Sequence, residues 1–382
     1  MAFTAEDHLY MTRALQLAEQ GLYTTMPNPR VGCVIVKDGS KGKIVIGEGA
    51  HLKAGEAHAE VFALRQAGEH ARGATLYVTL EPCNHTGRTP PCAHALLEAG
   101  ITKVIAAMQD PNPLVSGQGL AHLQANNIDV TSGLMQTQAE ALTPGFISRM
   151  MQYKPFVRSK IASSLDGKTA LSNGASQWIT SEAARLDVQH WRARSCVILT
   201  GIGTVLSDNP SMAVRAIATT PSPLMGEGWG EGVHLRQPLK VIVDSDLRIP
   251  IDAKILRGGN VLIAFAQANL QKEAELLKLG VKLLCIPNND AKVCLKTLLS
   301  HLASQQINEV LVEGGEGLNG GLLAQGLIDE LLIYYAPKLM GGAAKGLFAL
   351  PEFTHMNQSI DLQMIDLRQI GSDIRLRAKP LC

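Results

Sequence analysis

The chain has 382 residues, of which 46% are hydrophobic and 18% charged, with a formal net charge of +1. That length suggests two domains, and the composition is that of a globular protein. Near-neutral charge gives no electrostatic case for nucleic acid or an anionic membrane as partner. The apolar runs fall far short of the ~20 residues a membrane helix needs, and the amino terminus lacks a signal-peptide pattern. Seven scattered cysteines fit a reducing cytoplasm better than a disulfide framework.

Residues 7–20 carry helical periodicity that stops at Gly21. VGCVIVKDG and KIVIGEGAH read as a strand pair turning at Asp38-Gly39. From there helix and strand alternate: HAEVFALRQAG, ATLYVTL, PCAHALLEAG, TKVIAAM, GLAHLQANN and IDVTSG. The alternation predicts an α/β domain with a largely parallel sheet. A helix-like segment near 135–152 leads to KPFVRSKIASSLDGKTA, where a new strand opens a second α/β domain. The boundary is placed near 150, giving domains 1–150 and 151–382. SCVILT, LKVIVDS, NVLIAFA, VKLLCIP and NEVLVEG are its further strands. Residues 219–235, TTPSPLMGEGWGEGVHL, are Gly/Pro-rich without a period and read as a loop with a passive role.

The first chemical constellation lies in AHAEVFALRQAGEHARGATLYVTLEPCNHTGRTPPC, residues 57–92. His58 and Glu60 open one predicted helix, and Cys92, after Pro90-Pro91, opens another. At a helix start both His58 and Glu60 can reach one site, and the free N–H groups there favour thiolate. His58, Cys83 and Cys92 supply one imidazole and two thiolates, a zinc set whose fourth tetrahedral position is left for water. Zinc can lower the pKa of such a water from ~15.7 towards ~7, which leaves Glu60 to carry protons rather than to bind metal. H-x-E followed by P-C-x-x-C is the zinc nucleobase-deaminase signature. Here eight residues, NHTGRTPP, separate the cysteines and must loop out. His85 and His94 are rival ligands, read as loop and helix-surface residues.

TTMPNPRVGCVIVKDG, GEAHAEVFAL, VTLEPCNHTGRTPPC and QDPNPLVSGQGL resemble the deaminase half of the bifunctional riboflavin-pathway deaminase/reductase family. That family has the long cysteine spacing. The resemblance implies a cytidine-deaminase-like α/β/α domain, with PNPRVG lining the substrate pocket and Asn28 bonding the base edge.

In the second domain EVLVEGGEGLNGGLLAQG sets a strand before a Gly-rich turn and a helix, and Gly315 to Gly320 formally fit G-x-G-x-x-G. Such a turn lets backbone N–H groups approach a pyrophosphate, yet no acidic residue follows ~20 positions on, so a Rossmann domain is not indicated. Trp178 sits among polar residues in SQWITS and is read as lining a pocket. Arg192, Arg194 and Arg215 could charge a phosphate site, whereas Arg185 is read as a solvated helix-face residue. These stretches resemble the reductase half of the same family, which implies a dihydrofolate-reductase-like α/β fold. The resemblance implies NADPH contacts at Ala162, Trp178, Thr204, Asp208, Ser245 and the turn Gly315, Glu316, Gly317, Leu318, Asn319, Gly320 and Gly321. It implies substrate contacts at Ser176, Arg192, Met212, Arg215 and Glu313, where Met212 replaces an expected leucine.

The expectation is therefore a cytoplasmic bifunctional enzyme of riboflavin biosynthesis using one zinc per chain and NADPH. Its substrate is a small phosphorylated pyrimidine; homo-oligomerisation is left open. Water would attack the amino-bearing C2 of the pyrimidinone with Glu60 moving the protons, and hydride would go to C1′ of the ribosyl chain. An RNA deaminase would want basic, aromatic-rich surfaces, against 4% aromatics here. A zinc-stabilised binding module would leave Glu60 without a role.

Overall fold

A computed structural model describes residues 3–40, 42–84, 91–215 and 236–381. The described residues divide into two compact units, the first ending at Tyr153 and the second beginning at Lys154. The Gly/Pro-rich stretch 219–235 and His85 lie outside the described residues. No described helix is long and apolar enough to cross a membrane.

The first unit runs α1 (Ala5–Glu19), β1 (Gly32–Gly39), β2 (Gly42–Ala50), α2 (Ala59–Ala67), β3 (Thr75–Val78) and α3 (Cys92–Glu98). It continues with β4 (Lys103–Ala106), α4 (Gln118–Ala125), β5 (Asp129–Ser132), α5 (Gln136–Leu142) and α6 (Pro144–Gln152). Thr4 caps α1 in a reciprocal capping box with Asp7. The sheet order is β2-β1-β3-β4-β5. Only β3–β4 and β4–β5 pair in parallel, while β1 is antiparallel to both neighbours. The expected largely parallel sheet is thus mixed, because β1 makes two of its four pairings and both are antiparallel. The single helix expected near 135–152 is two, since Pro144 cannot continue α5 and starts α6 instead.

Close packing sets the helices on this sheet. A Cβ on Gly49 would stand 2.0 Å from the Ala59 carbonyl oxygen, so only glycine lets the first turn of α2 rest on β2. That contact fixes His58 and Glu60. The core between sheet and helices includes Met11, Ile35, Leu76, Leu96, Ile105 and Leu123, all nearly inaccessible to solvent.

The second unit has β6 (Phe156–Ser164), α7 (Glu182–Arg194), β7 (Val197–Gly201), α8 (Ile202–Asp208), β8 (Leu239–Val243), β9 (Val261–Phe265) and α9 (Leu270–Lys278). It ends with β10 (Lys282–Cys285), α10 (Leu295–Ser304), β11 (Glu309–Val312), α11 (Glu316–Ala324), β12 (Glu330–Ala336), β13 (Asp361–Ile370) and β14 (Asp373–Leu381). Nine strands form one sheet in the order β10-β9-β8-β7-β11-β6-β12-β14-β13. The seven from β10 to β12 are parallel, and β14 and β13 add an antiparallel edge. In parallel sheets ligands gather outside the carboxyl ends of the strands, where the chain order reverses. Here the chain moves outward from β6 through β7 to β10 and then returns to insert β11 between β6 and β7.

Candidate active sites

In the first unit β3 delivers Leu80 to Cys83 beside the starts of two helices. His58 is the N-cap of α2, Glu60 lies in its first turn, and Cys92 is the first residue of α3. His58 Nδ1 lies 3.2 Å from Cys92 Sγ and 3.6 Å from Cys83 Sγ, and the Cys92 backbone N–H points at Cys83 Sγ from 3.4 Å. All three ligand atoms fall within 4.8 Å of one another. Zinc bound at ~2.0–2.3 Å in a tetrahedron holds its ligands at about this spacing. Hydrogen bonds from Cys92 and His58 draw the Cys83 thiol down to about 4, whereas facing Cys83 and burial push Cys92 up. For both sulfurs to be thiolate at this spacing a cation must lie between them, and the donor set of one imidazole and two sulfurs fits zinc.

Glu60 is 3% exposed, and its Oε2 has no hydrogen-bond partner. Burial pushes its carboxyl up, partly offset by His58. A buried, unpartnered carboxylate oxygen beside an open metal set is placed to exchange protons with a substrate. Asn28 donates from Nδ2 to His51 Nε2 at 3.1 Å, and the His51 ring packs edge-on against His58 with centroids 5.4 Å apart. His94 stacks on His122 and is not among the ligand atoms.

Glu81 anchors the cysteine-bearing segment. It is buried and accepts backbone N–H groups from Asp110, Gly117, Gly119 and Leu120. A Cβ on Gly119 would meet the Pro82 carbonyl oxygen at 1.9 Å. The QDPNPLVSGQGL stretch therefore serves to lock Glu81 and Pro82, and through them Cys83. Sequence reasoning missed Glu81 and His51, whose only signals were an acid adjoining Pro-Cys and a histidine ending a strand.

The second unit carries a cleft of 1120 Å³ over the carboxyl ends of the parallel strands. A drug-sized ligand needs ~300–1,000 Å³, so there is room for a dinucleotide beside a second molecule. Ala162, Trp178, Thr204, Asp208, Ser245, Gly315, Glu316, Gly317, Leu318 and Gly321 all line it, as do Ser176, Arg192, Met212, Arg215 and Glu313. Asn319 and Gly320 do not. Asn319 is 1% exposed and ties the Gly314 carbonyl to Ser159, and a Cβ on Gly320 would strike Ala349 backbone. Both hold the turn rather than face the cleft. At Gly203 and Gly317 a Cβ would meet nothing within 4 Å, so bare backbone faces the cleft there. The start of α11 adds free N–H groups, and this cradle fits a pyrophosphate.

Glu313 grips Arg192 with two bonds, Arg192 Nε to Oε1 at 2.5 Å and Nη2 to Oε2 at 3.0 Å, and meets Lys160 at 3.5 Å. Burial would raise Glu313, but the charges of Arg192 and Lys160 outweigh it and hold the carboxyl at about 2. Arg192 spends its other donors on Ala213 O and Met212 Sδ. Arg215 is held through its backbone N–H by Gln189 and carries the freer guanidinium. Ser176 Oγ donates to Asp208 at 3.0 Å.

Two arginines depart from expectation. Arg185 is not on a solvated face: it lines the cleft, anchored to Thr180 O, with its guanidinium 4.5 Å over the Trp178 ring. Trp178 itself is 60% exposed and lines the cleft instead of filling core. Arg194 pairs with buried Glu309 at 3.3 Å, away from the cleft.

Fold and sites together define a zinc-binding pyrimidine-deaminase unit joined in one chain to a nucleotide-dependent reductase unit. The profile for the cytidine and deoxycytidylate deaminase zinc-binding region matches residues 4–108, and that for the RibD C-terminal domain matches 155–376. The chain is 46% identical over 372 residues to the riboflavin biosynthesis protein RibD of Escherichia coli (strain K12), covering 97% of this chain and 98% of that protein. It is 47% identical over 382 residues to the Haemophilus influenzae RibD, covering 100% and 99%. Among solved structures, Acinetobacter baumannii RibD, form 1, superposes with a TM-score of 0.87 at 46% identity, covering 99% of each chain. The Thermotoga maritima diaminohydroxyphosphoribosylaminopyrimidine deaminase/5-amino-6-(5-phosphoribosylamino)uracil reductase superposes with a TM-score of 0.79 at 30% identity, covering 98% of this chain and 99% of that one. The chain belongs to the RibD family. It is a bifunctional enzyme of riboflavin biosynthesis, with a cytidine-deaminase-like zinc unit and a dihydrofolate-reductase-like unit that uses NADPH.

Proposed function

We propose that residues 1–150 deaminate 2,5-diamino-6-ribosylamino-4(3H)-pyrimidinone 5′-phosphate. Residues 151–382 then reduce the ribosyl chain of that product to 5-amino-6-ribitylaminouracil 5′-phosphate, in the cytoplasm. The observation that carries the first half is the unpartnered Glu60 oxygen beside His58, Cys83 and Cys92. Zinc, when bound, makes a water nucleophilic at neutral pH, and NADPH supplies the hydride. Glu60 accepts the proton that the attacking water gives up and passes it to the ring nitrogen, then carries the second proton, from the new hydroxyl, to the amino group, which leaves as ammonia. Asn28, oriented by His51, bonds the edge of the base.

In the reductase cleft Glu313 and Arg192 act as one rigid pair that meets the substrate's sugar hydroxyls. The freer guanidinium of Arg215 suits its phosphate. Incubating the full-length protein with the diamino phosphate, with and without NADPH, and weighing the products tests both steps. Without NADPH the mass should rise by the exchange of an amino group for oxygen. With it, two further hydrogens should appear. A mass that changes only with NADPH present would refute the order.

A further inference from the structure

The cleft occupies one end of the second sheet. At the other end, beneath the amino ends of β7 to β10, lies a separate cavity of 410 Å³ that neither reaction uses. Each strand contributes where it begins: Cys196 precedes β7, Leu239 opens β8, Asn260 precedes β9 and Lys282 opens β10. The last turn of α10 closes the cavity with His301 and Leu302. None of the residues around it also lines the cleft. β8 runs from Leu239 in this cavity to Val243 in the cleft wall, so about 13 Å of strand separates the two.

The floor is apolar: Leu262 and Leu302 are buried, with Leu239 and Ile307 half-buried beside them. The rim is cationic. Arg236 donates from Nη2 to the Ser195 carbonyl at 3.1 Å, and the neighbouring Gln237 is fixed by both ends of its amide on Val214. The Lys282 ammonium and the His301 ring have no partner among the described residues. No carboxylate offsets them. The stretches 236–240, 257–262, 278–282 and 301–308, which form this end, hold five Lys and Arg and no Asp or Glu, although the whole chain is balanced at 35 and 34. Glu309, the next acid along, is buried and held by Arg158 and Arg194. The carboxyl end of a helix disfavours an anion, but the last carbonyls of α10 are already occupied: His301 and Leu302 accept the Gln305 N–H, and Leu302 that of Ile307.

We propose that this cavity is a second, non-catalytic ligand site that takes a small phosphomonoester with a flat apolar body. Lys282, Arg236 and His301 hold the phosphate, and the ring lies on the leucine floor. Ligand pockets span ~300–1,000 Å³, and a volume near the low end suits a mononucleotide and not a dinucleotide. Equilibrium dialysis of the full-length, zinc-loaded protein against radiolabelled 5′-UMP, uridine or inorganic phosphate tests this. UMP should bind about 10-fold or more tightly than either part, because only UMP meets both rim and floor. Lys282→Gln should raise the Kd for UMP about 10-fold or more, the loss expected for a charge-assisted bond, and Arg236→Gln should act in the same sense. Both side chains are exposed and outside the cleft, so the variants should fold, deaminate and reduce as wild type does. UMP that does not bind, or phosphate that binds as tightly as UMP, would overturn the proposal. So would UMP binding that Arg215→Ala abolishes and Lys282→Gln leaves unchanged, since that binding belongs to the cleft.

Discussion

Acid should unfold the reductase unit through two particular carboxylates. Glu330 is 3% exposed and lies between Arg158 and Arg377, whose charges hold its carboxyl at about 2 against an ordinary value of 4.5, although burial pushes the other way. Glu313 is held equally low by Arg192 and Lys160. A folded pKa below the unfolded one adds stability that is complete above about pH 4.5 and is lost as pH falls towards 2. The shift is worth about 3 kcal/mol for each group at neutral pH, and about 2 kcal/mol of that is gone by pH 3. Together the two would remove about 4 kcal/mol, a large part of the ~5–15 kcal/mol that keeps an ordinary protein folded.

Urea unfolding followed by tryptophan fluorescence at pH 7, 5, 4 and 3 measures this. Trp191 is a suitable reporter, being buried with the guanidiniums of Arg158, Arg194, Arg375 and Arg377 within 4.7–5.7 Å of its ring. Glu330→Gln cannot titrate and leaves Arg158, 1% exposed, poorly compensated. It should cost about 3–5 kcal/mol at pH 7 yet lose only about half as much as wild type between pH 5 and 3. A variant that is less than 1 kcal/mol weaker at pH 7 on the same scale, or whose stability falls as steeply in acid, would refute the reasoning.

Glu60→Gln keeps the size of the side chain and all three ligand atoms, so bound zinc should stay near one per chain while deamination falls at least ~10²-fold and reduction of supplied deaminated product persists. Equal loss of both activities, or loss of zinc, would remove Glu60 from the role of proton carrier. Glu81→Ala takes the shared acceptor from four backbone N–H groups, and zinc affinity measured by chelator competition should drop about 10–100-fold, as for other groups that orient metal ligands. Unchanged chelator resistance would show that Cys83 does not depend on that anchor.

The zinc site was legible because its chemistry is written as an ordered set of rare residue types at helix and strand junctions, and those junctions were visible in the apolar periodicity. Its supports were not. Glu81 acts through backbone partners 29 to 39 residues away and His51 through the Asn28 side chain 23 residues away, and one chain shows no trace of such pairings. The mixed character of the first sheet was hidden because a β-branched run reads alike in parallel and antiparallel pairing. The β13–β14 hairpin went unread for a related reason: DLQMIDLRQI leaves Leu362, Met364, Ile365 and Leu367 exposed and so lacks a clean two-residue alternation. Arg185 looked like one of several cations on a polar helix, and only the packing of its guanidinium on Trp178 moves it into the cleft.

The charges of the second unit are sorted by their position along the strands. Glu309 opens β11 and Glu313 follows its end, four residues on, so both point to the same side of the sheet about 13 Å apart. Glu309 is met by Arg158 and Arg194, each at 3.3 Å, in a closed cluster at the amino ends of the strands, where Arg158 also sits opposite Glu330 in the β6–β12 register. Glu313 is met by Arg192 and Lys160 at the open carboxyl end, in the wall of the cleft. One strand thus carries two acid–arginine pairs of nearly the same composition whose consequences differ. At the amino end Arg158 and Glu309 are each 1% exposed and lie outside the cleft, so their free energy goes into folding. At the carboxyl end the same kind of pair is fixed in place yet exposed to a substrate. Truncating Glu309 would therefore register as lost stability alone, and truncating Glu313 as lost reduction together with lost stability.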